Sequence, residues 1–158
     1  MKLSTRGRYA VMAMVDIASR NNTAVNLSGI ALRQGISLSY LEQLFSKLKK
    51  SGLVISVRGP GGGYRLALRP DKIKIADVMF SVNEPLKATR CKDGSPGGCA
   101  LDHQRCLTHD LWDELGRQMT VFLNSVTLAD VVKKNLPSNE FYVYKGIGKN
   151  GNRARNER

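Results

Sequence analysis

The side chains best suited to binding a soft metal lie in one short segment of the chain. Three cysteines, Cys91, Cys99 and Cys106, are separated by seven and then six residues, and His109 follows Cys106 after two more. Thiolates and imidazoles are the ligands of zinc and of iron–sulfur clusters. Cysteines that served only as small core residues would not be confined in this way. The segment therefore predicts a metal site with these four residues as ligands.

The spacing favours an iron–sulfur cluster over zinc. Structural zinc sites usually draw their ligands from close Cys-x-x-Cys pairs, whereas the gaps here are wide and rich in glycine, typical of a loop around a larger 2Fe–2S cluster. A histidine among three thiolates raises the reduction potential, which favours a sensor over a purely structural site. Zinc remains the alternative. His103, the other histidine, lies inside the loop and is interpreted as solvated.

Charge indicates a polyanionic partner for the first part of the chain. The net charge is +12, with +10 in residues 1–90 and +2 in residues 91–158. Such a basic half predicts binding to nucleic acid or to an anionic membrane, although basic residues can also serve solubility alone. The sequence shows neither a secretory signal nor an apolar run long enough to span a membrane. We expect a cytoplasmic protein with reduced thiols.

Three helices are predicted in the first 51 residues, and the second and third form a helix-turn-helix. The first begins near Ser4 or Thr5 and ends near Arg20, the second covers 28–34, and the third covers 38–51 after the Gly35 turn. The third helix has an apolar stripe that includes Leu38, and its other face carries groups able to read bases or bind phosphates. The predicted DNA contacts on that face are Ser39, Glu42, Gln43 and Lys47. Lys2 and Arg6, at the start of the first helix, are predicted to bind phosphates.

A β-hairpin is predicted directly after this recognition helix. Residues 53–58 and 64–68 are strand-like, and the glycine-rich stretch 59–63 between them predicts a tight reversal. Arg58 and Arg65 flank its tip, where an arginine can enter a minor groove. A short helix over 75–82 closes this unit. Helix-turn-helix plus basic hairpin predicts a winged-helix DNA-binding domain.

A long helix is predicted from His109 to about residue 125, followed by a short helix over 127–134. Its broad apolar stripe comprises Leu111, Leu115, Met119, Phe122, Leu123 and Val126, with Trp112 beside it. A second copy of the chain could cover this stripe, and a twofold dimer would match a palindromic operator. The alternative is that the stripe packs on its own domain. Residues 136–158 are basic, lack periodicity and are predicted to be disordered.

Four blocks of sequence resemble the bacterial iron–sulfur cluster regulators of the IscR family, which are winged-helix transcription factors. They are KLSTRGRYA at 2–10, QGISLSYLEQLF at 34–45, VRGPGGGY at 57–64 and CLTHDLW at 106–112. The resemblance covers residues 1 to about 135. The ligand gaps are longer than is usual in the family, and the basic tail does not match.

The resemblance implies a homodimer that ligates a 2Fe–2S cluster through Cys91, Cys99, Cys106 and His109. It implies DNA contacts at Ser39, Tyr40, Glu42, Gln43 and Arg58, and repression of cluster-assembly genes by the cluster-bound form.

Together these observations predict a mainly α fold with a small β-hairpin wing, a winged helix-turn-helix domain plus a long dimerisation helix. The expected divisions are a DNA-binding domain (1–84), a cluster-binding loop (85–108), the dimerisation helix with the short helix after it (109–135), and the tail (136–158). The expected function is a cluster-sensing transcriptional regulator, not an enzyme, since the candidate nucleophiles and bases share one loop. The alternative is a zinc-stapled DNA-binding protein without a sensing role. The expected partners are double-stranded DNA and the iron–sulfur assembly machinery as cluster donor.

Overall fold

The structure is a computed structural model that describes residues 3–20, 23–86 and 105–137. Within these ranges it is mostly helical, with one two-stranded antiparallel hairpin. The elements in chain order are α1 (Thr5–Ala18), α2 (Leu27–Gln34), α3 (Leu38–Lys50), β1 (Val54–Val57), β2 (Gly63–Leu66), a 3-10 turn (Pro70–Lys72), α4 (Ile75–Ser81), α5 (His109–Ser125) and α6 (Leu128–Lys133). The predicted tail lies outside the described residues, except for 136 and 137.

The helix caps explain where the three N-terminal helices begin and end. Ser4 caps α1 and Ser37 caps α3 through their side-chain oxygens, as their positions predict. The second helix begins one residue earlier than predicted because Asn26 is its cap, accepting from the Gly29 amide at 2.6 Å. Gly35 ends α2 in the left-handed conformation (φ 64°), which a glycine adopts without steric cost.

One hydrophobic core joins α1, α2, α3, the hairpin, α4 and α6. Its largest fully buried side chains include Met14, Ile17, Phe45, Met79 and Leu128. Ala10, Ala13, Met14 and Ile17 are the apolar residues that α1 buries in this core. The prediction for α3 was wrong at one position, since Leu38 is 40% exposed at the first residue of the helix, where the chain is leaving the turn.

The segment after α5 returns to this same core. Val126 accepts a hydrogen bond from the Ile75 amide at 2.9 Å, and the Leu128 amide donates to Ile73 at 2.9 Å. Val126 and Leu128 are both buried. As a result α5 is held at its C-terminal end by the winged-helix unit, while its N-terminal end meets the predicted metal segment.

The apolar face of α5 is left largely uncovered by the described part of this chain. Leu111 is 62% exposed, and Trp112 and Phe122 are each 40% exposed. Of the predicted stripe, Leu115, Met119 and Leu123 are half-buried, and Val126, which follows the helix, is buried. Within the described residues, the stripe is therefore covered by its own domain only in part, and most completely at its C-terminal end.

Candidate DNA interface and metal segment

The recognition helix α3 has one face in the core and the other in solvent. Its buried residues are Leu41, Leu44, Phe45 and Leu48. The predicted base-reading residues Ser39, Glu42 and Gln43 are all exposed on the opposite side. Residues at i and i+3 or i+4 share a helix face, so these side chains can address a groove together.

Tyr40 sits between the core and the exposed face and is oriented by a partner that sequence reasoning missed. Its ring packs edge-on against the Tyr9 ring of α1, with centroids 6.0 Å apart and planes at 86°. This is a favourable arrangement of two aromatic quadrupoles. Tyr9 lies at the edge of the buried face of α1, and no sequence spacing links it to Tyr40.

The C-terminal turn of α3 is strongly basic and is tied to the hairpin. Lys47, Lys49 and Lys50 occupy this turn, where cations complement the helix dipole. The Lys49 ammonium donates to the Ser56 hydroxyl of β1 at 3.0 Å. Lys47 is half-buried. The basic end of the helix and the hairpin are thus joined directly.

The hairpin is a wing whose base is fixed to the body of the domain. Val25 and Tyr64 exchange two backbone hydrogen bonds of 2.8 Å each, and the Tyr64 ring packs 4.8 Å from the Phe45 ring. Gly63 allows this approach, because a Cβ there would collide with the Val25 carbonyl. Arg58 and Arg65 are both exposed on this supported hairpin.

A buried carboxylate on α1 joins α1 to α2, the first helix of the helix-turn-helix. Asp16 is 7% exposed and accepts two hydrogen bonds from Arg33, at 2.6 and 3.0 Å, one from Gln34 at 2.9 Å and one from Arg20 at 3.3 Å. Burial alone would raise the pKa of Asp16, but the hydrogen bonds from Arg33, Gln34 and Arg20 outweigh it and lower that pKa to about 2. Sequence reasoning did not identify this joint.

The start of α1 is already engaged by a second buried carboxylate, Glu84. Glu84 accepts from the Ser4 amide at 2.9 Å and from the Ser4 hydroxyl. The Arg6 guanidinium, predicted to bind phosphate, donates to the Asn83 carbonyl at 3.2 Å. Lys2, the other predicted phosphate contact, lies outside the described residues.

Two of the four predicted metal ligands lie within the described residues, and they are adjacent at the start of α5. The His109 amide donates to the Cys106 carbonyl at 2.9 Å, and His109 is the first residue of the helix. Both residues are half-buried. Cys91 and Cys99 lie outside the described residues, and among residues 3–20, 23–86 and 105–137 no three ligand-type side chains gather around a metal position.

The donor set fits an iron–sulfur cluster. Cys106 and His109 belong to one turn, closed by the hydrogen bond from the His109 amide to the Cys106 carbonyl, and one imidazole with three thiols is the kind of set that holds such clusters. No helix in the described ranges is long and apolar enough to cross a membrane.

A recognition helix, a supported basic wing and a core shared with an extended helix define a winged-helix, DNA-binding transcriptional regulator, and the predicted fold class is confirmed. The chain belongs to the Rrf2 family, described as iron-dependent transcriptional regulators, whose model matches residues 3–134.

Several relatives carry one name. The chain is 52% identical over 138 residues to the HTH-type transcriptional regulator IscR of Aliivibrio salmonicida (strain LFI1238), covering 85% of this chain and 79% of that one. It is also 52% identical over 133 residues to IscR of Klebsiella pneumoniae (strain 342), covering 84% and 80%. The predicted resemblance to the IscR family is confirmed. The relatives are named as transcriptional regulators, which agrees with the prediction that the chain is not an enzyme.

Two solved structures share the fold. The structure of T. potens IscR matches with a TM-score of 0.69 at 38% identity, covering 85% of this chain and 88% of that one. That of CymR (YrzC), the global cysteine regulator of B. subtilis, matches with a TM-score of 0.70 at 30% identity, covering 85% and 98%.

Proposed function

We propose that this transcriptional regulator senses iron–sulfur status through a 2Fe–2S cluster held by Cys91, Cys99, Cys106 and His109, and that occupancy of the cluster sets its choice of operator. The observation that carries the proposal is the position of Cys106 and His109 in the turn that leads into α5, with His109 as the first residue of the helix. That turn joins the segment with the remaining ligands to a helix whose other end is built into the DNA-binding core. When bound, the cluster supplies a group whose loss or oxidation reports on the cell's iron and redox state.

DNA recognition is assigned to α3, the wing and the chain's N-terminal end. Ser39, Tyr40, Glu42 and Gln43 face the major groove, where an amide pairs with adenine and a carboxylate accepts from cytosine. The wing arginines, Arg58 and Arg65, enter a flanking minor groove. Phosphate contacts come from Lys2, Arg6 and Lys47, and their charge makes binding salt-dependent.

The working form is a homodimer that binds a palindromic operator. Its support is the exposed apolar face of α5, which includes Leu111, Trp112 and Phe122. A second copy of α5 would cover that face, and twofold symmetry would place two recognition helices on two half-sites.

Occupancy acts by ordering the segment that leads into α5, which alters how the two winged-helix units sit on DNA. Glu42 is the discriminator, because a carboxylate is favourable beside cytosine and costly beside unmatched acceptors. We assign the protein to the cytoplasm, with the iron–sulfur assembly machinery as cluster donor and cluster-assembly genes as targets.

The decisive experiment is anaerobic purification followed by visible absorption spectroscopy, metal analysis and DNA binding by the cluster-bound and cluster-free forms. We expect two irons and two sulfides per chain, a coloured protein, and a Cys106→Ala variant that loses both. A colourless protein with one zinc per chain and no iron would refute cluster sensing and support the zinc-stapled alternative.

The role of Glu42 is tested with the Glu42→Ala variant in the same binding assay. We expect the difference in DNA preference between the cluster-bound and cluster-free forms to be smaller in the variant than in wild type. If that difference equals the wild-type one, Glu42 is not the discriminator.

A further inference from the structure

The root of the metal-bearing segment is fastened to the N-terminus of the DNA-binding domain by a set of hydrogen bonds, of which those to the buried Glu84 are partly buried and the one from Arg6 is exposed. We call it the N-terminal clasp; it consists of Ser4, Arg6, Asn83 and Glu84. The Glu84 carboxylate, on a residue 5% exposed, accepts from the Ser4 amide at 2.9 Å and from the Ser4 hydroxyl. The Arg6 guanidinium donates to the Asn83 carbonyl at 3.2 Å. Ser4 and Glu84, which are 80 positions apart in the chain, are thus joined through both oxygens of the Glu84 carboxylate.

The close approach of the two segments is built into neighbouring residues. A Cβ on Gly7 would lie 2.8 Å from the Glu84 Cγ atom and 2.8 Å from the Met79 sulfur, so no larger side chain fits there without displacing them. Asn83 has a positive φ of 58°, which turns the chain after α4, and the Glu84 amide donates to the Met79 carbonyl at 3.0 Å. Asparagine tolerates this left-handed conformation better than most residues. The backbone that carries the clasp is therefore fixed on both sides.

The energetics favour a joint that stays closed. Hydrogen bonds to an ionised carboxylate are stronger than neutral ones, and removing the partners of a buried carboxylate leaves its desolvation cost uncompensated. A displacement of Glu84 is therefore passed to Ser4, whose hydroxyl also accepts from the Arg6 amide at 3.2 Å, instead of being absorbed by opening of the clasp.

The clasp lies where three functional parts of the chain meet. Cys91 follows Glu84 by seven residues, a length that spans at most about 25 Å. Arg6, on the other side, is an assigned phosphate contact. A groove of about 430 Å³ beside the clasp is lined by Phe80, Pro85 and Thr120, among others, and Thr120 belongs to α5.

We propose that Glu84 is the positioning residue that couples the occupancy of the metal segment to the DNA-binding N-terminus. The coupling passes from Cys91 through Glu84 to Ser4 and Arg6, and so to the phosphate backbone of DNA. This inference rests on the proposed function, since it needs a cluster whose binding changes DNA affinity.

The test measures dissociation constants of the full-length protein, cluster-bound and cluster-free, on duplexes that the cluster-bound wild-type protein selects from random sequence. We compare wild type with Glu84→Gln, Ser4→Ala and the double variant. Allosteric coupling typically changes affinity about 5- to 150-fold. We therefore expect the ratio of the dissociation constants of the cluster-free and cluster-bound forms to be smaller in each single variant than in wild type, by about fivefold or more. The double variant should lose no more than either single one, because both break the same link.

Asp16→Asn is the matched control, because it also weakens a buried carboxylate joint on α1 but leaves the clasp intact. We expect it to lower stability and to leave the ratio of the two dissociation constants unchanged. As a readout that needs no DNA, amide exchange at Ser4 and Arg6 should differ between cluster-bound and cluster-free wild type, and this difference should vanish in Glu84→Gln.

Three results decide the matter. A ratio that stays at the wild-type value in folded Glu84→Gln and Ser4→Ala overturns the coupling role and leaves the proposed function standing. A ratio that falls equally in Asp16→Asn overturns it too, because loosening α1 would then suffice. A wild-type protein that binds no cluster, or binds DNA equally well with and without it, overturns the proposed function and the inference together.

Discussion

Replacing Asp16 by asparagine should remove a defined, pH-dependent part of the stability of the DNA-binding domain. Asp16 is buried and accepts hydrogen bonds from Arg20, Arg33 and Gln34. Its pKa falls from 3.8 to about 2 in the folded chain. A tenfold change in proton affinity corresponds to about 1.4 kcal/mol, so the charged form contributes about 2 kcal/mol to the free energy of unfolding at neutral pH.

The direction of the pH dependence follows from the lowered pKa. Between about pH 4 and pH 2 the unfolded chain binds the proton on Asp16 and the folded chain does not, so stability falls as the pH falls. The contribution is complete above about pH 5 and is lost as the pH drops through the folded-state pKa of about 2. An asparagine does not titrate, so the variant lacks this component.

The assay is urea unfolding of the cluster-free protein followed by circular dichroism at pH 7, 5, 4 and 3. Urea is uncharged and leaves the ion pairs unscreened. The slope of the unfolding free energy against urea concentration reports whether the unfolded states of wild type and variant match. We expect wild type to exceed Asp16→Asn by about 2 kcal/mol at pH 7 and by clearly less at pH 3.

Asp71→Asn is the control for this prediction. Asp71 also pairs with an arginine, but the Arg69 and Asp71 side chains are 80% and 42% exposed. Exposed pairs contribute little, so the change should be within about 0.5 kcal/mol at every pH. If the difference between wild type and Asp16→Asn is the same at pH 7 and pH 3, the reasoning about this buried carboxylate is wrong.

Three further predictions concern the DNA interface and α5. Gly63→Ala should detach the wing from Val25, reduce the free energy of unfolding by about 1–3 kcal/mol and abolish specific DNA binding. An unchanged melting temperature and unchanged binding would refute the close approach of Gly63 to the Val25 carbonyl. Lys47→Ala should weaken binding to all sequences and reduce the slope of log affinity against log salt by about 1 per protomer, or about 2 for the dimer, and an unchanged slope would remove Lys47 from the phosphate contacts. Trp112→Ser should shift the protein toward monomer in sedimentation velocity while its far-UV circular dichroism stays that of the folded chain, because Trp112 is exposed within one chain; a variant that stays a dimer would argue against this face as the interface.

Much of the fold could be predicted from local sequence because its signals are local. The caps Ser4 and Ser37, the left-handed Gly35 and the apolar spacing of α3 each act within a few residues of the chain. Such signals also placed the exposed side chains of the recognition helix. Leu38 shows the limit of periodicity, since its spacing matched the core and its position at the helix start left it exposed.

The long-range joints could not be predicted in this way. Sequence spacing does not reveal that Asp16 binds Arg33, that Tyr9 orients Tyr40, or that Glu84 binds Ser4, because these pairs form only when separate helices pack.

By itself, the sequence determined the winged-helix class, the confinement of the soft ligands to one segment and the basic character of the DNA-binding half. Those properties depend on residue types and short spacings, which do not depend on how distant parts of the chain pack together. Only the tertiary structure decided that α5 is anchored in the core at its C-terminal end and leaves part of its apolar face exposed, and that buried carboxylates fasten α1 to α2 and to the root of the metal segment. The physical reason is that a buried charge is stable only where distant donors converge on it, and that convergence is a property of the packed molecule.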